Sequence, residues 1–179
     1  MSLEMIVKMI EAEFKDGEKK QVDSKELIKM LEERGFEYED VDEALDEAQR
    51  RKIIELDSGF YKWIDPSVRE VEKAKTHGYY QMLAEVFRGG EIEFLPEEDV
   101  KAALKERGLD DEEIANILAD AERDFVLDFY ADTFGPAHKL VAGCSWIPPE
   151  DRASFADAEK DDRKFSKKWL EKKIMQGDY

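Results

Sequence analysis

The chain contains 179 residues, and its 45 acidic residues outnumber its 28 basic ones, so the formal net charge is −17. This length accommodates one domain or two, and no apolar run approaches the ~18 residues needed to cross a membrane. The single cysteine, Cys144, excludes an intrachain disulfide. Because the N-terminus also lacks a basic region followed by an apolar one, we expect a cytoplasmic protein without a signal peptide.

The first predicted elements are a helix, a short strand and a second helix. Apolar residues recur at helical spacing over residues 6–14 and predict the first helix. Val22 fits a short strand. Asp23 or Ser24 is suited to cap the second helix, which Gly35 ends.

A third helix and a β-hairpin follow. The helix starts near Glu39 or Asp40, and its apolar residues form one stripe at positions 41, 44, 45 and 48. Residues 53–56 and 60–64 are rich in β-favouring side chains and flank a turn that contains Gly59. This pattern predicts a hairpin.

The same order recurs later in the chain. Residues 5–56 align with residues 78–129 at a constant offset of 73 without a gap, with 12 identities in 52 pairs. Two copies of one small domain therefore account for most of the chain. Residues 1–75 carry a net charge of −7, residues 76–149 carry −10, and residues 150–179 are neutral.

The second copy contains the counterpart of each element. We expect a first helix over 79–87, a short strand over 92–95, a second helix from Pro96 and a third helix over 109–121. Its hairpin is longer, with strands over 125–130 and 140–147. The loop between these strands is expected to hold Asp132, Gly135, Pro136 and His138.

These elements give four segments along the chain. They are a first domain over 1–65, a linker over 66–76, a second domain over 77–149 and an amphipathic helical tail over 150–179. Pro66 argues for a break in the linker, whereas Val68 and Val71 allow a short helix.

The order of helix, short strand, helix, helix and hairpin resembles the winged-helix domain, a helix-turn-helix variant with a β-wing. The resemblance covers about residues 4–147. It implies a mainly α fold with small β-hairpins (α+β), made of two winged-helix domains in tandem plus a C-terminal helix.

The first copy resembles the C-terminal winged helix of archaeal minichromosome maintenance helicases. Those domains have an acidic third helix, a strand, a glycine turn and an aromatic strand, as in residues 41–64 here. The helicase's nucleotide-binding segments are absent, so no ATPase activity is implied. Tandem acidic winged helices also resemble the small subunits of prokaryotic condensins and some membrane-sorting adaptors, in which the fold mainly binds protein.

The third helices carry acidic side chains, whereas a DNA-reading third helix presents basic and amide side chains to the major groove. A carboxylate facing a phosphate is repulsive. We therefore interpret the acidic residues as candidates for contact with a basic protein surface: Asp42, Glu43, Asp46, Glu47, Glu112, Glu113 and Asp120. The candidates for nucleic-acid contact are Arg50, Arg51, Lys52, Lys62, Lys164, Lys167 and Lys168.

The first wing and the tail allow more than one interpretation. Phe60, Tyr61 and Trp63 flank Lys62, a mixture that can lie on bases, although packing of these aromatic rings on the core is the simpler interpretation. The basic side of the tail has three interpretations. It folds back on the acidic repeats, pairs with a second copy to form a homodimer, or docks on nucleic acid or another partner.

No catalytic constellation, cofactor site or metal site is predicted. Neither His77 nor His138 belongs to a His-Glu-x-x-His motif. His138 and Cys144 supply two ligands in one wing, which is too few for a stable zinc site.

The sequence thus predicts a non-enzymatic adaptor or regulator in a DNA transaction such as replication, transcription or chromosome organisation. It would act mainly by protein contact through its acidic faces. The alternative is a direct DNA-binding transcriptional regulator that uses its wings and basic C-terminal helix. A third hypothesis is an enzyme built on the long second wing.

Overall fold

The computed structural model describes residues 2–158. Within that range the chain divides into two compact units, and the division falls between Lys75 and Thr76. Each unit combines helices with one small antiparallel sheet of three strands. The expected α+β character is therefore confirmed in both units.

The first unit follows the element order predicted for the first copy. Its helices are α1 (Leu3–Glu13), α2 (Ser24–Glu33) and α3 (Tyr38–Arg50), and its strands are β1 (Gln21–Asp23), β2 (Ile54–Asp57) and β3 (Phe60–Trp63). Strand β3 lies between β1 and β2 and is antiparallel to both, with Val22 and Leu56 opposite Tyr61. The β2–β3 hairpin thus forms one sheet with the short strand β1, which follows α1.

The second unit repeats this order after a longer helix, α4 (Arg69–Val86), which begins before the division. It continues with helices α5 (Glu97–Glu106) and α6 (Asp111–Arg123) and strands β4 (Phe94–Pro96), β5 (Leu127–Phe134) and β6 (Lys139–Trp146). Strand β6 lies between β4 and β5. Residues 152–158 begin a further helix, and the remainder of the predicted tail, 159–179, lies outside the described residues.

Local capping interactions start two of the helices. The Asp23 carboxylate accepts hydrogen bonds from the backbone N–H groups of Lys25 (3.0 Å) and Glu26 (3.2 Å), so Asp23 rather than Ser24 caps α2. At α6, Asp110 and Glu113 exchange side-chain and backbone hydrogen bonds in a capping box. The sequence offered Asp23 as one of two caps for α2, whereas the capping box places the start of α6 two residues after the expected start at 109.

The third helices supply the predicted apolar stripes to the two cores. All four residues of the α3 stripe are buried: Val41, Ala44, Leu45 and Ala48. The same holds for their counterparts on α6: Ile114, Ile117, Leu118 and Ala121. Because burial of a large aliphatic side chain contributes about 1.5–3 kcal/mol, these stripes also determine which side of each third helix faces solvent.

Two elements differ from the sequence-based expectation. Helix α4 starts at Arg69, ten residues before the expected start at Tyr79, so most of the predicted linker is helical. Strand β5 extends to Phe134, so Asp132 lies in the strand and not in the loop. The second wing is therefore a long paired ribbon joined by residues 135–138.

Each unit contains a stack of three side chains, a phenylalanine, a tryptophan and an arginine. In the first unit, the Trp63 ring lies 5.8 Å from the Phe14 ring, and the Arg69 guanidinium lies 4.7 Å from the Trp63 ring centroid. The Arg69 Nε also donates to the carbonyl oxygen of Ile64 at 3.0 Å. The stack joins the end of α1, the end of β3 and the start of α4.

The second unit contains an equivalent stack. Trp146 lies 6.3 Å from Phe87, Arg152 lies 4.9 Å from the Trp146 ring centroid, and the Arg152 Nε donates to the Ile147 carbonyl oxygen at 3.0 Å. The repeat therefore extends beyond the ungapped alignment, to a Trp-Ile-x-Pro-x-x-Arg sequence in both copies. The offset grows from 73 to 83 here because the second wing is ten residues longer.

Replacement of Arg69 by alanine should lower the free energy of unfolding by about 1–3 kcal/mol, since it removes a cation–π contact and a charged hydrogen-bond donor. Urea denaturation followed by tryptophan fluorescence measures this change. The matched control is Lys73→Ala on the same helix, because the Lys73–Glu70 ion pair is exposed and should contribute about 0.5 kcal/mol or less. Equal effects of the two substitutions would contradict a structural role for the stack.

Candidate protein-interaction surfaces

Three carboxylates occupy the side of α3 that faces away from its buried stripe. Asp42, Glu43 and Asp46, here called the acidic face, are all half-buried. They follow one another at spacings i, i+1 and i+4, which brings them to one side of a helix. The first copy thus presents a concentrated negative charge at the position where a DNA-reading helix would be basic.

The fourth predicted carboxylate of α3 is held in ion pairs. Glu47 accepts hydrogen bonds from Arg50 (3.4 Å) and Arg51 (3.1 Å). Arg51 also pairs with Glu4 of α1 at 2.9 Å, and its hydrogen bond lowers the pKa of Glu4. The basic end of α3 therefore joins two helices of the first unit, and its cations already have carboxylate partners.

The remaining nucleic-acid candidates are dispersed. Lys52 lies just beyond α3 in a left-handed backbone conformation with φ +58°. Lys62 on β3 pairs with Asp57 on β2 at 2.5 Å, and this contact lowers the pKa of Asp57. The tail candidates Lys164, Lys167 and Lys168 lie outside the described residues.

The acidic residues of α6 mostly have local structural roles. Glu113 belongs to the capping box and also accepts a hydrogen bond from the Tyr79 hydroxyl at 3.4 Å. Asp120 pairs with Arg123 at 3.0 Å. Glu112 is exposed in the first turn of the helix. These three candidates therefore do not reproduce the acidic face of α3.

A half-buried hydrogen-bond network includes Asp120 and its neighbours at the end of α6. The Arg123 guanidinium donates to Asp120 and, at 2.9 Å, to Asp124. Asp124 also accepts a hydrogen bond from the Tyr80 hydroxyl. Burial together with the Asp124 charge raises the pKa of Tyr80. The charges at the end of α6 are thus engaged in joining this helix to α4.

The two third helices differ most at the positions of the acidic face. At the constant offset of 73, Asp42, Glu43 and Asp46 correspond to Ala115, Asn116 and Ala119. These three residues of α6 are exposed. The expectation that both copies present acidic third helices therefore describes the first copy well, whereas the second copy has a small, uncharged surface at the same place.

The second wing carries an aromatic cluster on its solvent side. The Phe94 ring on β4 lies 5.2 Å from Tyr130 and 6.5 Å from Phe134, both on β5. Tyr130 and Phe134 remain about two-fifths exposed, at 41% and 42%. Asp128 and Asp132 alternate with them along β5, on the same side of the strand. The wing thus combines aromatic rings and carboxylates on one face.

Gly143 of β6 makes room for this cluster. It lies between Pro96 and Tyr130 in the sheet, and a Cβ atom at this position would lie 2.5 Å from Cζ of Phe94 and 2.3 Å from the backbone oxygen of Leu95. Any side chain here would therefore displace the Phe94 ring. The glycine is required by close approach of its neighbours.

The first wing has polar residues at the corresponding positions. Gln21 corresponds to Phe94, and the Asp57–Lys62 ion pair takes the place of the hydrogen-bonded pair Tyr130–Ser145. Tyr61 of the first wing is buried and Trp63 packs on the core, as the simpler interpretation of this segment expects, while Phe60 is 37% exposed. The aromatic face is therefore specific to the second copy.

Sequence reasoning missed the aromatic face. The signal was present as the period-two placement of Tyr130 and Phe134, which extends the strand beyond residue 130. The contribution of Phe94 has no local signal, because it depends on the pairing of β4 with β6.

Of the two residues weighed as metal ligands, His138 lies in the turn of the second wing and Cys144 lies in the core. Cys144 is buried in the second core, and burial raises the pKa of its thiol to about 12. The thiol is therefore protonated near neutral pH and is a poor nucleophile or metal ligand. Within residues 2–158, no three histidine, cysteine or acidic side chains are arranged to hold a metal ion. No helix in this range is both long and apolar enough to span a bilayer.

Comparison with known proteins assigns no family to the chain. No protein-family model matches the chain, and no curated protein is significantly similar to it in sequence.

The acidic face is expected to influence the titration of Tyr61. Burial, together with the charges of Asp46 and Asp42, raises the pKa of this phenol to about 12. An unfolded chain has an ordinary tyrosine pKa of about 10. Since the folded state holds the phenol proton more tightly, the corresponding stability is complete below about pH 10 and is lost between about pH 10 and 12.

Ultraviolet difference titration of the native chain against Tyr61→Phe isolates this phenol. We expect a midpoint well above that of ordinary tyrosines, and a lower midpoint in Asp42→Asn/Asp46→Asn. A Tyr61 midpoint that does not respond to the two aspartates would show that they do not lie beside it.

Proposed function

We propose that the chain is a tandem winged-helix adaptor or regulator in a DNA transaction, and that it acts by protein contact without catalysing a reaction. The element order in each unit and the hairpin that pairs with the preceding short strand support the winged-helix assignment. The resemblance of the first copy to the winged helix of replicative helicases supports the setting. Fold alone is weak support for a function, so the argument depends on the surfaces.

The acidic face of α3 is the observation that carries the proposal. Three carboxylates at the groove-reading position would each oppose a phosphate, and the net charge of −17 repels nucleic acid at longer range. The same carboxylates are complementary to lysine and arginine side chains of a protein partner. Electrostatic complementarity of this kind speeds association and selects among partners.

The second copy supplies a different contact. Its α6 surface is small and uncharged, and its wing presents the rings of Phe94, Tyr130 and Phe134 beside the carboxylates of Asp128 and Asp132. Aromatic side chains are enriched at the centres of protein interfaces. An adaptor gains from this asymmetry, because each copy then recognises a different feature of the assembled complex.

Direct DNA binding is the competing function, and it makes a distinct prediction. The native chain should show no micromolar binding to a labelled duplex of mixed sequence at ~50 mM salt, measured by fluorescence anisotropy. The physical reason is that Arg50, Arg51 and Lys62 already pair with carboxylates. Micromolar binding that collapses at ~200 mM salt would establish the DNA-binding alternative, with the wings and tail lysines as its contacts.

Capture experiments test the protein-contact proposal. The immobilised native chain should recover proteins with basic surfaces from the extract of its source cells. Asp42→Asn/Glu43→Gln/Asp46→Asn should weaken the affinity of a captured partner by about tenfold or more, since charge pairs at interfaces are strongly coupled. Titration calorimetry with the purified partner measures this change.

A variant with the same change in net charge serves as the control. Asp99→Asn/Glu106→Gln/Glu122→Gln removes three exposed carboxylates of the second unit and should retain the native affinity. An equal loss of partner affinity in the two variants would mean that only the overall charge matters. Partners that bind both variants with the native affinity would overturn the role of α3.

A further inference from the structure

Strand β5 lies at the edge of the second sheet. The strand order is β4-β6-β5, so among residues 2–158 no strand pairs with the other side of β5. The strand spans eight residues, Leu127–Phe134, and every residue from 131 to 140 is exposed. An edge strand of this length presents backbone N–H and C=O groups with which another extended chain can pair.

The β5–β6 ladder shows which backbone groups point to the open edge. The Ile147 N–H donates to the carbonyl oxygen of Val126, just before β5, at 2.9 Å. Residues that bond to the same neighbouring strand alternate along an antiparallel strand. Ala131 and Thr133 stand an odd number of positions after Val126, so their backbone groups point away from β6. In agreement, the Thr133 N–H donates to the Asp132 carboxylate at 2.8 Å.

The solvent side of β5 alternates carboxylates with aromatic rings. Its successive residues are Asp128, Tyr130, Asp132 and Phe134. Among the described residues, neither of the two aspartates forms an ion pair. This side of the strand therefore has negative charge and exposed rings, and no cation of the described chain neutralises it.

The first wing supplies a cation at the place where the second wing has none. Lys62 of β3 stands opposite Glu55 and also pairs with Asp57. The corresponding residue of β6 is the uncharged Ser145, which stands opposite Asp128. The second wing thus keeps the carboxylate and lacks the internal cation.

We infer that the open edge of β5 binds an extended segment of a partner protein that carries lysine or arginine at every second residue. Such a segment adds a fourth strand to the sheet. With this spacing its cations all lie on the solvent side, beside Asp128 and Asp132, and opposite charges on neighbouring strands stabilise the pairing. The long stems of lysine and arginine also cover the rings of Tyr130 and Phe134.

Asp132 makes this edge selective for a basic segment. Its carboxylate occupies the Thr133 N–H, and a charged side chain at a sheet edge opposes pairing with uncharged strands. A carbonyl oxygen of an incoming strand must replace that carboxylate, which then loses its donor. A basic segment supplies a cation to the displaced carboxylate, whereas an apolar segment does not.

The inference rests on the proposed protein-contact function and names the partner chemistry of the second wing. The two copies then bind basic partners in different ways, since α3 offers a helix surface and β5 offers hydrogen bonds to an extended backbone. A second copy of this chain is a poorer occupant of the edge, because two acidic second repeats repel each other.

Two peptides of the same composition test the spacing. The probe is a fluorescently labelled Lys-Val-Lys-Thr-Lys-Val-Lys peptide, and its control is Lys-Lys-Val-Thr-Val-Lys-Lys, which places lysines on both sides of a strand. Fluorescence anisotropy with the full-length chain at ~50 mM salt should show that the alternating peptide binds about tenfold tighter or more. Equal affinities would overturn the inference, because peptide charge alone would then explain the binding.

Substitutions in β5 separate the contribution of its side chains from that of its backbone. Asp128→Asn/Asp132→Asn should weaken binding of the alternating peptide about tenfold, whereas Asp99→Asn/Glu106→Gln, which removes two exposed carboxylates of α5, should not. Ala131→Pro removes an N–H that faces the open edge, where proline is tolerated, and should abolish binding. Ala131→Val retains the N–H and should bind as the native chain does. Native affinity in either the Asn or the Pro variant would contradict pairing at this edge.

Hydrogen exchange of the native chain locates the contact without any substitution. The alternating peptide should slow exchange of the Ala131 and Thr133 amides about tenfold or more, and unchanged exchange at both would overturn the inference. Protection of the Ala131 amide before peptide is added would mean that the edge is already covered. If that protection rises with protein concentration, a second copy covers it, and otherwise the chain itself does; both results exclude the proposed partner.

The acidic face of α3 provides the internal comparison. Asp42→Asn/Glu43→Gln/Asp46→Asn should bind the alternating peptide as the native chain does. A loss of affinity confined to this variant would overturn docking at β5 and leave protein contact through α3 standing. Failure of the capture experiments would count against α3 alone, because the peptide measurements at β5 do not involve it.

Discussion

The stack of phenylalanine, tryptophan and arginine is the interaction on which each unit most depends. In the first unit, Trp63 is held between Phe14 and Arg69, so the last strand, the first helix and the following helix meet at one side chain. An arginine in the first turn of a helix is disfavoured by the helix dipole. Its position there is explained by its contact with the Trp63 ring and by its hydrogen bond to the Ile64 carbonyl oxygen. The arrangement positions the sheet against the helices.

The Phe-Trp-Arg stack is the same in both copies. Their sequences differ at positions where a substitution changes stability little. The buried stripes of α3 and α6 are apolar at every position, whereas Asp42 and Asp46 correspond to Ala115 and Ala119. Solvent-facing substitutions usually change stability by less than about 0.5 kcal/mol. The aromatic face of the second wing follows the same logic, except that it also requires Gly143 in place of a larger residue.

Carboxylates of this chain have two roles that charge counting cannot separate. Some are structural: Glu47 orients the end of α3, and Asp124 joins Arg123 to Tyr80. Others, the acidic face above all, are concentrated on one side of a helix and are suited to a basic ligand.

The sequence by itself determined the element order, the two copies and the buried stripes, because these follow from periodicity and from the repeat. It also located the acidic face, since α3's apolar stripe specifies the opposite side. Only the tertiary structure decided that Glu113 accepts a hydrogen bond from Tyr79, that Tyr80 joins the Arg123–Asp124 pair, and that Phe94 meets Tyr130. Each of these contacts joins residues more than ten positions apart, which spacing along the chain does not specify.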